Sequence, residues 1–155
     1  MKRAAVLGAG AWGTALAKVL ADKGERVTLY SRRPELPRQI AETRMNERYL
    51  PGIELGGELT VTSDLGQALS GATLIVLAVP SHALREVVGE AHRTWPREAP
   101  IVSATKGIEN DSLMLMGEVV LDVAPATGDR MTVLSGPSFA REVAVGLPTA
   151  IVVAG

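Results

Sequence analysis

Residues 3–30 read RAAVLGAGAWGTALAKVLADKGERVTLY, and this stretch decides the fold. The short apolar run Ala4–Leu7 leads into a glycine-rich turn, Gly8–Gly13, which opens a stretch with apolar residues at helical spacing. A strand with a continuous apolar run is typical of a parallel sheet that is buried on both faces. Glycines spaced as G-x-G-x-x-G between such a strand and a helix predict a turn that binds a dinucleotide.

Each glycine of this turn has a separate physical role. Gly8 permits the tight turn, Gly10 lets a diphosphate approach the backbone, and Gly13 lets the helix pack close to the strand. The free N–H groups at the helix start, those of Ala11 and Trp12 among them, then face the phosphates at the positive end of the helix dipole. The alternative is a glycine-rich turn without a ligand.

The rest of the chain alternates between β-rich apolar runs and helical patterns. Further strands are predicted at Arg26–Tyr30, Leu59–Thr62, Thr73–Val79, Pro100–Ala104, Met131–Leu134 and Thr149–Val153. Helices are predicted at Ala11–Lys23 with Gly24 as its end, with Pro34 in a first turn and continuing through Gln39–Met45, after a cap at Ser63 or Asp64, from a cap at Ser81 towards Arg93, at Leu113–Val123 and at Ser138–Val145. This order predicts one α/β domain over residues 1–155, a Rossmann-type, doubly wound and mainly parallel sheet with helices on both faces.

Composition narrows the functional classes. The formal net charge is -1, and aromatic residues make up 3% of the chain, which disfavours a nucleic-acid partner. The absence of cysteine excludes disulfides, thiolate catalysis and cysteine metal sites, and we predict no metal. The apolar runs are too short for a secretion signal or a membrane span, so we expect a cytoplasmic protein.

The end of the second strand selects between the two nicotinamide cofactors. An acidic residue at this position binds the ribose 2′-hydroxyl of NAD, but this chain has Ser31, Arg32 and Arg33. Two guanidinium groups suit a 2′-phosphate, so we predict NADP or NAD as the cofactor, with NADPH favoured. The alternative is that both arginines are solvated loop charges.

Three further segments follow predicted strands and therefore lie at the same sheet edge, where ligands bind in this fold. They are Val79–His82, Ala104–Gly107 and Leu134–Ala140. Lys106 is the candidate catalytic residue, because an ammonium there can polarise a carbonyl or hold a phosphoester. A backbone N–H at Gly136 and the hydroxyl of Ser138 are candidate contacts for the same anion.

Other chemistry-bearing residues are predicted to be structural. His82 is predicted to be a polar residue in a first helical turn and not a proton donor, and His92 is assigned to a polar helix face. Met114 and Met116 belong to an apolar helix and are predicted to fill the core. Two roles stay open for Trp12: it contacts the cofactor, or it packs on a neighbouring loop.

These motifs together resemble the bacterial NAD(P)-dependent sn-glycerol-3-phosphate dehydrogenases. The resemblance rests on Gly8–Ala17, Val79–His82, Thr105–Glu109, Ser135–Ala140 and Gly146–Ala150, in this order along the chain. It implies reversible hydride transfer between a nicotinamide and carbon 2 of dihydroxyacetone phosphate or sn-glycerol 3-phosphate, which feeds phospholipid synthesis. The cofactor contacts it implies are Trp12, Arg32, Arg33, Lys106 and Ala140, and the substrate contacts are Lys106, Gly136 and Ser138.

The chain departs from the family pattern in two respects. Ala11 stands where serine is frequent, so it offers only its backbone. Family members carry a second, helical domain that supplies a proton-donor lysine and much of the substrate pocket, and this chain lacks it. We therefore expect a fragment that binds cofactor with little turnover, from a full-length protein that forms a homodimer.

Two alternatives stay open at this point, and a third is disfavoured. A non-catalytic NAD(P)-sensing module would use Arg32 and Arg33 for recognition alone and would not need Lys106. A ketopantoate or 6-phosphogluconate type of dehydrogenase would share this kind of amino-terminal domain. A methyltransferase also has a glycine-rich first loop, but it expects an acidic residue where Ser31–Arg33 stand.

Overall fold

The computed structural model describes residues 2–155, which form one seven-stranded sheet in the order β3-β2-β1-β4-β5-β6-β7. The strands are β1 (Arg3–Leu7), β2 (Arg26–Tyr30), β3 (Leu59–Thr62), β4 (Leu74–Leu77), β5 (Ile101–Ser103), β6 (Met131–Ser135) and β7 (Val152–Ala154). Neighbours are parallel except for β6 and β7, which are antiparallel. This is the Rossmann strand order with one added edge strand, which confirms the predicted fold class. Met1, the first residue of the predicted domain, lies outside the described residues.

Helices cover both faces of the sheet. They are α1 (Ala11–Asp22), α2 (Glu35–Thr43), α3 (Leu65–Leu69), α4 (Ser81–Ala91), α5 (Met116–Val123) and α6 (Ala140–Ala144), with a 3₁₀ turn at Pro125–Arg130. Alternate residues of β1 enter different cores: Ala4 and Val6 pack with α1 and α2, whereas Ala5 and Leu7 pack with α3, α4 and α5. Burial on both faces explains why β1 has a continuous apolar sequence.

The first helix ends as its sequence predicts. Gly24 has φ +84° and donates its N–H to Ala21 O at 2.9 Å, while the Glu25 N–H reaches Leu20 O at 3.1 Å. This pair of bonds is the Schellman motif, which favours glycine because its left-handed backbone is strained for other residues. The motif turns the chain directly into β2.

Three predicted helix starts are wrong. Ser81 is the first residue of α4 and not its cap, since the extended Pro80 holds the cap position. α5 begins at Met116 and not at Leu113, because Leu113 lies in a left-handed turn with φ +58°. α6 begins at Ala140 and not at Ser138, because Phe139 is still extended.

The proline-containing helix and the short third helix start as their chemistry allows. Pro34 caps α2, and Pro37 falls in its first turn, where the missing N–H has no helical partner in any case. The Asp64 carboxylate accepts a 2.9 Å hydrogen bond from Gln67 N, so Asp64 and not Ser63 caps α3. Over residues 2–155 none of the helices has the length and apolar character of a membrane-crossing segment.

Candidate functional site

The glycine turn lies where the strand order reverses, between β1 and β4. Ala78 N donates to Leu7 O at 2.8 Å, so the chain after β4 runs beside the turn. Gly8 has φ +117°, and a Cβ at this position would lie 2.5 Å from Ala78 O. Only glycine can therefore occupy position 8. Open α/β sheets bind ligands where the strand order reverses, and this turn lies at that point.

The other two glycines differ in what surrounds them. A Cβ on Gly13 would lie 1.8 Å from Gly8 O, so Gly13 is required for the close approach of α1 to the turn. A Cβ on Gly10 would meet nothing within 4 Å. No side chain caps α1 at Gly10, and its first turn contains no acidic residue, so the helix start is open to an anion.

Two cavities meet at this helix start and share Gly10, Val79 and Pro80 as walls. The first, of about 390 Å³, extends to the end of β2 and is also lined by Gly8, Ala9, Tyr30, Ser31, Arg32, Arg33, Tyr49, His82 and Ala83. The second, of about 300 Å³, extends towards β5 and is also lined by Ala11, Trp12, Ala78, Ala104, Thr105, Lys106, Ser138 and Ala140. The predicted cofactor residues other than Gly13 therefore line one or the other cavity. Two cavities on either side of an open helix start fit an extended dinucleotide with its diphosphate in the middle.

The arginines at the first cavity have partners in this structure. Arg32 Nη1 lies 3.0 Å from Glu86 Oε2, and Arg33 Nε donates to the Tyr49 hydroxyl at 2.9 Å. Arg33 is also 3.6 Å from Glu35 Oε1. Both arginine side chains are about half exposed, at 54% and 47%, so solvent and ligands reach them. His82 is exposed in the first turn of α4, beside the same cavity.

Lys106 joins three segments at the second cavity. Its Nζ donates to Gly136 O at 3.1 Å and to the Ser138 hydroxyl and carbonyl oxygens at 2.9 and 3.3 Å. The same Nζ lies 5.3 Å from the centroid of the Trp12 ring. Trp12 Nε1 in turn donates to Ala104 O at 3.1 Å. Trp12 therefore packs on the end of the neighbouring strand and also lines the cavity.

Gly136 has a backbone reason to be glycine. Its φ is +136°, and a Cβ there would lie 2.7 Å from Ala150 O and 3.0 Å from the Cα of Ile151. The segment that approaches it leads into β7, which pairs with β6. Gly136 therefore holds the Lys106 partners against the added edge strand.

A third cavity lies on the other side of Lys106. It measures about 590 Å³ and is lined by Thr105, Lys106, Gly107, Leu115, Met116, Gly117, Glu118, Leu121, Gly128, Met131, Val133, Leu134, Ser135, Gly136, Ala154 and Gly155. Thr105 and Lys106 belong to the walls of both this cavity and the Trp12 cavity. The ammonium thus stands at the boundary between the cofactor side and a second, larger space.

Both methionines pack in the core as predicted, although only Met116 lies in α5, and His92 is the half-buried C-cap residue of α4. Met116 is buried in the core beneath α4, and Met114 packs against the same core. The His92 ring lies within hydrogen-bond distance of Val88 O, with Nδ1 at 3.0 Å, and meets the Trp95 ring edge-on. None of these three lines the cavities at the glycine turn.

Two residues of the site escaped prediction. Asn46 is buried, and its Nδ2 donates to Ala9 O at 3.0 Å and to Thr14 Oγ1 at 2.8 Å, so it fixes the glycine turn to α1. Tyr49 lines the arginine cavity, and the guanidinium groups of Arg48 and Arg33 hold its pKa below the usual value for tyrosine. Both come from an irregular segment that carries no motif.

The sheet order, the glycine turn and the two joined cavities define a dinucleotide-binding domain of the Rossmann class. Residues 3–155 match the family model for the amino terminus of NAD-dependent glycerol-3-phosphate dehydrogenase. The chain belongs to this family.

Relatives and solved structures agree with this assignment. The chain is 55% identical over 153 residues to a glycerol-3-phosphate dehydrogenase [NAD(P)+] of Anaeromyxobacter sp. strain K, covering 98% of this chain and 46% of the relative. A crystal structure of glycerol-3-phosphate dehydrogenase from Coxiella burnetii, 39% identical, aligns over 98% of this chain and 46% of that one with a TM-score of 0.87. The chain thus spans about half the length of the relatives it matches.

A more distant solved structure bears on the fold alone. A ketopantoate reductase from Ralstonia eutropha shares 22% identity with a TM-score of 0.66 over 87% of this chain and 41% of that one. The family match therefore does not favour a ketopantoate-type enzyme or a sensing module.

Proposed function

We propose that this chain binds NAD(P)(H) and forms the cofactor half of an enzyme that interconverts dihydroxyacetone phosphate and sn-glycerol 3-phosphate. The observation that carries the proposal is the pair of cavities joined at Gly10, with the arginines at one end and Lys106 at the other. Membership of the glycerol-3-phosphate dehydrogenase family supports the choice of substrates.

The glycine turn supplies the diphosphate site. Gly8 and Gly13 set the backbone, and Gly10 leaves space over the N–H groups of Ala11 and Trp12. At the outer end, Arg32 and Arg33 receive the adenosine ribose, and their charge favours a 2′-phosphate, hence NADPH. Ala140 forms part of the wall at the nicotinamide end.

Lys106 is the catalytic residue of this half. When bound, the dinucleotide supplies or accepts a hydride. The Lys106 ammonium, anchored by Gly136 O and Ser138, places a fixed positive charge at the boundary of two cavities. Such a charge orients a phosphorylated substrate and stabilises negative charge on the reacting oxygen. Gly136, in the wall of the larger cavity, and Ser138, in the wall of the Trp12 cavity, lie on either side of Lys106 and are the proposed substrate contacts.

The substrate pocket needs polypeptide beyond these residues. The chain matches 46% of its relatives' length, and its edge strand β7 is exposed along its whole length. Apolar side chains in the segment between β6 and β7 are also exposed, among them Phe139 at 67%, Leu147 at 53% and Ile151 at 50%. We expect a helical domain to pack on this surface and to supply the proton donor, so that the 155-residue chain alone binds cofactor but turns over slowly. The longer protein is expected in the cytoplasm as a homodimer.

Calorimetric titration of the purified chain with NADPH and NADH tests the proposal. We expect saturable binding of both cofactors at a single site, with NADPH the tighter. A Gly10→Val variant that keeps its circular dichroism spectrum should lose this binding, because the new side chain occupies the open space over the helix start. Failure of the folded chain to bind either cofactor would overturn the proposal.

Catalysis is tested separately in a protein of the relatives' full length. We expect that protein to oxidise NADPH in the presence of dihydroxyacetone phosphate, with absorbance at the nicotinamide band as the readout. The 155-residue chain under the same conditions should show little or no oxidation. Turnover by the short chain at the rate of the longer protein would contradict the proposal that a further domain is needed for catalysis.

A further inference from the structure

The two arginines of the first cavity are not equivalent. Arg32 forms a direct ion pair with Glu86 of α4, at 3.0 Å between Nη1 and Oε2. Arg33 donates at 2.9 Å to a neutral group, the Tyr49 hydroxyl, and its carboxylate neighbour Glu35 is 3.6 Å away. Of these two arginines, only Arg32 is therefore directly hydrogen-bonded to a carboxylate in the described part of the chain.

We propose that Glu86 sets the balance between NADP and NAD by competing with the 2′-phosphate for Arg32. This inference rests on the proposed function, since it assumes that the first cavity receives the adenosine ribose. A 2′-phosphate that pairs with Arg32 must displace the Glu86 carboxylate or lie beside it, and the second arrangement brings two negative charges together. NAD has a neutral 2′-hydroxyl, so its binding requires neither the displacement of Glu86 nor the close approach of two negative charges.

The position of Glu86 makes this competition specific. Arg32 follows β2 and lines the first cavity, and Glu86 lies in the second turn of α4, one turn beyond the lining residues His82 and Ala83, so the pair joins the two elements beside the cavity. Both side chains are more than half exposed, at 54% and 64%, so the pair can open without unfolding the helix. Exposed pairs of this kind are weak, which is what a site that accepts two cofactors requires.

The same helix offers a matched control. Glu90 lies one turn beyond Glu86 and carries the same charge, but it is not an ion-pair partner of Arg32 in the described part of the chain. The Glu90→Gln variant therefore removes one negative charge from the same face of the protein without removing the competitor. Comparison of Glu86→Gln with Glu90→Gln separates local competition from the effect of net charge.

The experiment is calorimetric titration of the wild-type chain and both variants with NADPH and NADH, and with 2′,5′-ADP and 5′-AMP as probes of the adenosine end. Glu86→Gln is expected to raise the ratio of the NADH to the NADPH dissociation constant by about two- to fivefold, the range of an exposed ion pair. Most of the change should lie in NADPH and 2′,5′-ADP, whereas 5′-AMP affinity stays constant. The gain should shrink as salt is added, because screening weakens both the pair and the phosphate contact.

Each other outcome contradicts the inference in a recognisable way. An unchanged ratio in Glu86→Gln, with NADPH bound normally, would show that Glu86 does not compete. Equal shifts in Glu86→Gln and Glu90→Gln would assign the effect to general charge and overturn the role of Glu86. Absence of binding to the wild-type chain would instead overturn the proposed function, and this inference with it.

Discussion

The Lys106 ammonium lies over the face of the Trp12 ring, 5.3 Å from its centroid. This contact joins the helix that opens at the glycine turn to the chain that leaves β5. Because Trp12 is itself hydrogen-bonded to Ala104 O, the ammonium rests on a ring whose orientation is fixed. Cation–π contacts of this kind contribute about 0.5–1 kcal/mol at exposed sites. Lys106 is thus held in place before any ligand arrives.

The first prediction concerns the charge of Lys106. In a protein of the relatives' full length, Lys106→Met should lower the rate of dihydroxyacetone phosphate reduction by about 10²-fold or more, since one positioned group that stabilises developing charge contributes that much. NADPH affinity should change far less, because the glycine turn and the arginines are untouched. Steady-state kinetics and cofactor titration measure the two effects.

A suitable control for that variant is Lys18→Met. Lys18 lies in α1 and pairs with Asp22 at 2.6 Å, away from both joined cavities. It should leave kcat and the cofactor dissociation constant unchanged. A Lys106→Met enzyme with wild-type kcat and KM would remove Lys106 from the catalytic role.

The second prediction separates two glycines of one turn. Gly10→Ala should keep the fold within about 1 kcal/mol, because its Cβ meets open space and its backbone is extended. The same methyl group should weaken NADPH binding at least about tenfold, since it stands where the diphosphate approaches. Gly13→Ala should instead destabilise the protein by more than about 2 kcal/mol, because its Cβ would lie 1.8 Å from Gly8 O.

Urea unfolding and cofactor titration of the two variants check this contrast. The assignment of Gly10 to the ligand and Gly13 to packing would be wrong if both variants lost stability alike. It would equally be wrong if Gly10→Ala bound NADPH as the wild type does.

The elements that sequence predicted correctly are those in which one local rule suffices. The glycine spacing after a buried strand predicts the turn, and Gly24 predicts the end of α1 through its left-handed backbone. The predicted start of the fifth helix at Leu113 is wrong, because the periodicity of apolar residues includes Leu113 although its backbone is left-handed. The predicted start of the sixth helix at Ser138 is wrong in a similar way, since the chain stays extended through Phe139.

The residues that were missed depend on the tertiary fold. Asn46, Tyr49 and Glu86 are common residue types in a loop and on a helix surface, where they match no motif. Their roles arise when the fold brings them to Ala9, Arg33 and Arg32, respectively. Sequence reasoning placed Arg32 and Arg33 at the cavity but had no means of finding their partners.

The third prediction concerns Asn46. Its side chain is buried and bridges Ala9 O and Thr14 Oγ1, so Asn46→Ala leaves two buried groups without a partner. Such losses cost about 1–3 kcal/mol, which should appear as a lower urea midpoint. Because Ala9 lies within the glycine turn, NADPH affinity should fall as well. Thr43→Ala is a control, as Thr43 bonds only to backbone at the end of α2.

The outcome that counts against this role of Asn46 is a loss of stability without a loss of affinity. In that case the bridge would support the fold without shaping the turn. A variant with unchanged stability would show that the two hydrogen bonds contribute nothing net.

The last prediction is a pH dependence set by Glu109, which lies three residues after Lys106. Arg85 of α4 donates to both carboxylate oxygens at 2.8 and 2.9 Å, and Ser112 adds a further hydrogen bond. The Arg85 bonds first, and then Ser112, lower the pKa of Glu109 from its ordinary 4.5 to about 2. Arg85 also reaches Asp122 of α5 at 2.6 Å, so one guanidinium joins α4, α5 and the segment that carries Lys106.

The sign of the effect follows from the lowered pKa. Glu109 is ionised in the folded protein at a pH where it is protonated in the unfolded chain, so its stabilising contribution is complete above pH 4.5 and is lost as the pH falls towards 2. Glu109→Gln should therefore flatten the fall of the urea midpoint between these values. Equal slopes for the wild type and Glu109→Gln would mean that the ion pair between Arg85 and Glu109 does not couple proton binding to folding. In that case the segment after β5 would depend on its backbone hydrogen bonds to hold Lys106 in place, such as the 3.0 Å bond from Glu109 N to Met114 O.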